Sequence, residues 1–151
     1  MGVRHPFDTA TFKLVHLSPA NPAEGAFYTI PLAVNCRFEL VSACFSLATD
    51  VTPVDRFVTI APRNAGVIHQ NFWACRAINA NAAADYAFYR GNIPENSIAA
   101  LPGRINGTFG VGVILDNIDD IIITALGLQA GDTLSALHLY YKEWIQGTFP
   151  V

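Results

Sequence analysis

Charge is what this sequence has least of. Asp, Glu, Lys and Arg make up 14% of its 151 residues, against about 25% in an ordinary soluble domain. Nine basic and twelve acidic side chains give a formal net charge of −3. No Lys/Arg-rich face is available for a phosphate backbone, so a nucleic-acid partner is excluded. Cysteine is also sparse: Cys36, Cys44 and Cys75 are an odd set without CxxC or Cys/His ligand spacing, which reads as free thiols buried in a core. Uninterrupted apolar streaks such as 72–75 and 98–101 fall far short of the 20 or so residues of a membrane span. The residues after Met1 hold no apolar h-region. The expectation is a chain made in the cytosol with no membrane partner, on which Asn106-Gly107-Thr108 is a turn and not a glycan site.

Chemical motifs are as scarce as charge. Only Asp116, Asp119 and Asp120 are bunched among the carboxylates, and a calcium loop needs more oxygens than they offer; they read as a polar turn. His5, His16, His69 and His138 show no HxH or HExxH spacing and read as satisfied or surface side chains. No nucleophile elbow, P-loop or dinucleotide fingerprint occurs, and the glycines of 107–112 sit inside a strand-like run. No catalytic residue, cofactor-binding residue or metal ligand is therefore assigned, and the expectation is a protein that is not an enzyme and has no cofactor.

What the chain does have is apolar residues, at 52%, arranged in strand periods. One domain fits this length: an arm over residues 1–10, then a sandwich over 11–151 ending in a short tail. The longest uninterrupted run is 133–145, where Leu137, Leu139, Tyr141 and Ile145 fall on one face. Its rival, 36–49, switches parity between Leu40 and Val41, which predicts a β-bulge there. These two would nucleate the inner sheets. Shorter strands are expected at 11–17, at 26–30 where Pro31 stops the chain, at 56–61, within 67–76, at 85–90, 97–101, 108–115 and 120–128; 62–66 reads as a loop and 77–84 as an irregular connection. The expected fold class is all-β, a single-domain antiparallel β-sandwich of jelly-roll type with about eight to ten strands.

A small domain cannot hide so much apolar surface within itself, so part of its outside is expected inside an assembly. Phe7 and Phe12 near the beginning and Phe149, Pro150 and Val151 near the end are the candidate inter-subunit or capsid contacts, because disordered tails are normally poor in aromatics. A second reading rests on Phe72, Trp73, Tyr86, Tyr89, Tyr140 and Trp144, whose flat rings could stack on sugars.

Three segments, 33–42 (AVNCRFELVS), 45–50 followed by Arg56-Phe57-Val58, and 127–135 (GLQAGDTLS) leading to Glu143-Trp144, resemble a loose group of small virion proteins of tailed bacteriophages. Ala33, Asn35 and Phe38 stand where that group has Pro, Gly and Trp. The resemblance implies a structural role on the particle. A capsid cement or decoration protein is expected, a homo-oligomer and most simply a homotrimer, contacting the major capsid protein on the virion surface after assembly in the bacterial cytoplasm. The alternative is a tail- or fibre-associated carbohydrate-binding module.

Overall fold

The computed structural model describes residues 12–34, 36–91, 104–110 and 113–145, with side chains through Trp144. Among the described residues ten strands form: β1 (Lys13–Leu17), β2 (Tyr28–Pro31), β3 (Cys36–Ala48), β4 (Phe57–Asn64), β5 (Val67–Ile68), β6 (Phe72–Trp73), β7 (Ala83–Tyr89), β8 (Arg104–Thr108), β9 (Asp120–Leu126) and β10 (Thr133–Ile145). Among the described residues there is no helix. One sheet runs β1-β10-β3-β7-β8; the other runs β2-β9-β4-β5, with β6 also on β4. The pairs β1·β10, β2·β9, β3·β7 and β4·β5 nest inside one another, which is the winding of a jelly roll. The sandwich expected from the sequence is thus present, with one departure: β8 lies parallel to β7, and every other pair is antiparallel.

The two long strands do not nucleate separate sheets. They lie side by side at the centre of one, from Thr133 opposite Ala48 to Ile145 opposite Cys36. The expected bulge is there, since Tyr140 faces Ser42 while Tyr141 faces Leu40 and leaves Val41 unopposed. Phe38, Leu40, Ala43, Phe45 and Leu47 consequently all reach the core. A second bulge was not foreseen. Ser135 faces Ser46 and His138 faces Cys44, so β10 takes three steps where β3 takes two. Ala136 makes the extra step at φ 53°, and Leu134 and Leu137 are both fully buried despite their three-residue spacing. Asn21 Oδ1 accepts the N–H of Ala136 and the hydroxyl of Tyr28, each at 3.0 Å.

The core between the sheets joins these residues to Tyr86, Phe88 and Ile105 on one side and to Tyr28, Ile30, Val58, Ile60, Ile121 and Ile123 on the other. Each such side chain contributes about 1.5 to 3 kcal/mol on burial. Phe109 bridges the layers, stacked on Phe88 of the first sheet at 5.7 Å and edge-on to Phe72 of the second at 5.2 Å.

Several boundaries differ from expectation. Pro31 is the last residue of edge strand β2 and does not cut it short, a position where a missing N–H interrupts little. Pro62 lies inside β4, which continues to Asn64. Its carbonyl accepts the N–H of His69 at 3.0 Å, so its absent N–H points the same way, into the gap between β5 and β6. The strand expected at 108–115 lies earlier, at Arg104–Thr108, and Asn106-Gly107-Thr108 is strand, not turn. Within β8, an added Cβ on Gly107 would stand 2.3 Å from the Phe88 ring, so that position needs glycine. The stretch 77–84 is irregular as expected through 82, apart from a bridge between Ile78 and Arg56, but Ala83 and Ala84 already belong to β7. The strand expected at 97–101, the arm over 1–10 and the tail after Ile145 lie outside the described residues.

Of the three cysteines, all free, only Cys36 is buried; Cys44 is intermediate and Cys75 exposed. The expectation of three core thiols therefore holds for Cys36 alone: Cys44, between core-facing Ala43 and Phe45, is only partly buried, and Cys75, which follows β6, is exposed.

Candidate functional site

The two ends of the described chain meet at one corner. β1 runs antiparallel to β10 with Lys13 opposite Glu143, so the chain before Phe12 and the chain after Ile145 both attach there. Phe7, Phe149, Pro150 and Val151 belong to those flanking segments and lie outside the described residues. Phe12 is in place. It is 45% exposed, its ring set edge-on to Trp144 at 5.8 Å and capped by Lys142, whose Nζ stands 4.8 Å from its centroid. That cation–π contact holds the ring up on the sheet while leaving its other face open.

Alternation supplies the rest of the surface. Phe12, Leu14 and His16 share the outer parity of β1, and across from Leu14 and His16 stand Lys142 and Tyr140. Leu14 is 57% exposed, far more than a sheet face needs to shed. Beside Trp144 a cavity of about 330 Å³ is lined by Arg37, Ile114, Asp116 and Trp144, with Ile114 exposed. Arg37 Nε is 2.6 Å from Asp116 Oδ1. Behind Lys142, Glu39 is buried and held by ion pairs to Arg90 Nε at 2.6 Å and Lys142 Nζ at 3.5 Å, the Arg90 contact lacking hydrogen-bond alignment. The corner is thus an apolar surface edged by neutralised charges. Sequence reasoning found Phe12 but missed Leu14, Ile114 and the role of Trp144; the one signal was the parity of β1.

The other candidate chemistry is dispersed. Of the six aromatics read as a sugar platform, Phe72 and Tyr86 are in the core and Trp73 is exposed on the second sheet. Tyr89 takes a hydrogen bond from Arg104 Nη2 at 2.6 Å. Tyr140 stacks on His16, and only Trp144 belongs to the corner. Asp116, Asp119 and Asp120 form no common site: Asp120 holds Arg63 through two bonds of 2.7 and 2.6 Å, and Asp119 accepts the N–H of Ala65 at 2.8 Å.

Asp50, Arg56 and Asp132 do come together, from three separate stretches of the sequence. Arg56 is fully buried and donates from Nε and Nη2 to the two oxygens of Asp132, each at 2.9 Å. Its Nη2 also reaches Asp50 Oδ1 at 2.5 Å, and its Nη1 donates to the carbonyls of Thr52 and Val54. Asp132 in turn accepts the N–H groups of Asp50 at 2.9 Å and Gln129 at 2.8 Å. Burial pushes the Asp132 carboxyl up, but the Arg56 guanidinium and these two N–H groups more than offset it and hold it below the usual carboxylate range. Asp50 is displaced the same way, with burial opposed by bonds from Thr52 and Arg56. Every polar group is used inside the cluster, so its work is to lock the β3–β4 and β9–β10 connections. No protein-family model and no curated protein matches this sequence.

Proposed function

We propose that this chain is a non-enzymatic structural protein of a bacteriophage virion, a capsid cement or decoration subunit. It oligomerises on the head as a trimer, contacts the major capsid protein and ties neighbouring capsomers together. The corner at Phe12 and Trp144 carries the reading. Both flanking segments attach there, with Phe7 on one and Phe149, Pro150 and Val151 on the other, next to a surface that already exposes Phe12, Leu14 and Ile114. Apolar side chains on both flanking segments give such a corner the means to clasp a neighbour, and burial then offsets an ordering cost of roughly 1 to 2 kcal/mol per residue. The scarcity of charge supports the same reading, because a surface meant for solvent is richer in ions. The likeness to phage proteins supports it through architecture, since Asp50, Arg56 and Asp132 of those segments form a loop lock and not a reactive site.

The test is binding of purified protein to empty phage heads, run beside a glycan array. Head binding is expected, and it is expected to disappear on deletion of residues 2–10 or 147–151 while circular dichroism stays unchanged. Glycan binding without affinity for heads replaces the proposal with a carbohydrate-binding module. Full head binding by both truncations moves the contact to the sheet faces or loops.

A further inference from the structure

Two histidines that lie 122 positions apart in the sequence meet on the outer face of the first sheet. His16 stands opposite Tyr140 on β10, and His138, two residues earlier on β10, has the same outward parity. His16 Nε2 is 3.1 Å from His138 Nδ1, the ring planes are within 12° of each other and the centroids are 5.4 Å apart. Tyr140 stacks on His16 at 4.3 Å and 11°, which fixes that ring. Both imidazoles are exposed.

We propose that His16 and His138 form a chelating site for a divalent transition-metal ion. Two imidazole nitrogens bound to one ion at about 2.0 to 2.1 Å stand about 2.9 to 3.4 Å apart for angles between square and tetrahedral. The observed separation lies inside that range. In the metal-free arrangement the two nitrogens face each other and share one N–H; on binding, the donor ring gives that proton to water and takes one up at its other nitrogen, staying neutral, while the exposed His138 ring swings out so that both facing lone pairs turn toward the ion. Imidazole ligands select zinc, nickel or copper over calcium and magnesium, which need oxygen. The strands carrying the pair are fixed by the β1·β10 ladder, so binding orders little that is not already ordered. Among the described residues no group of three or more ligating side chains occurs, so the protein fills two coordination positions and leaves the others to water or to a donor on a bound neighbour. The site stands independently of the virion role.

The test is calorimetric titration of the full chain with Ni²⁺, comparing wild type with His16→Ala, His138→Ala and His69→Ala, the last an exposed histidine elsewhere. Circular dichroism checks that each variant is folded. Saturable uptake of one ion per chain is expected in wild type and His69→Ala, and its loss in both His16→Ala and His138→Ala. No saturable uptake by wild type overturns the proposal. So does uptake that survives in either of those two variants, since a chelate needs both nitrogens.

Discussion

Asp132 is the side chain on which two connections depend. Fully buried, it holds Arg56 by both oxygens and at the same time satisfies the backbone of Asp50 and Gln129. Replacing it with Ala leaves the Arg56 guanidinium without its bidentate partner in a dry site, a change that costs about 3 kcal/mol or more; urea denaturation measures it. Acid attacks the same point. The carboxyls of Asp132 and Asp50 are held below their ordinary values in the fold, so the stability they supply is present above the unfolded value of about 3.9 and is lost as pH falls through the folded values. The melting temperature is therefore expected to stay level down to about pH 5 and to drop below about pH 4. In Asp132→Asn that acid decline is expected to be shallower, and an unchanged decline removes Asp132 from the account.

Within the elements, the second bulge is where local and tertiary demands conflict. Ala136 adopts φ 53°, a left-handed conformation that costs a residue with a Cβ about 1 kcal/mol, because Leu134 and Leu137 must both face the core. Ala136→Gly is expected to raise stability by up to about 1 kcal/mol in chemical denaturation, and a loss of stability would show that the strain is not borne at that residue. This bulge was hidden from sequence reading for a physical reason: alanine is a poor sign of positive φ, and the alternation of 137–141 continues without a break. The bulge at Val41 was legible, since it leaves a parity switch among large apolar residues. Strand positions followed from periodicity wherever side chains alternated, as at 13–17 and 133–145, and failed where glycines and small polar residues carried the ladder, as in β8. The parallel pairing of β7 with β8 leaves no periodic mark. Of the corner, Phe12 was readable and its partners were not, because Trp144, Arg37 and Ile114 are brought beside it by pairing between distant segments. The same holds for His16 and His138, whose separation in sequence matches no ligand spacing.

At the scale of the whole molecule, apolar exposure and low charge point to company. Phe12, Leu14 and Ile114 at the corner are large, exposed and close to where both flanking segments attach. Light scattering of the purified protein at micromolar concentration is expected to give a trimer, and Leu14→Ser combined with Phe12→Ser to shift it toward monomer with no change in circular dichroism; a monomeric wild type would end the argument from composition. The nested winding also sets a timetable. β3 is complete at Ala48 but receives its long neighbour only when Thr133–Ile145 has been synthesised. On the ribosome the middle of the first sheet must wait for the 97 residues from 49 to 145, with the β3 edge that β10 will cover still open. Assembly of this sandwich is thus a late, nearly all-at-once event, and nascent chains halted before β10 are the species a chaperone would meet.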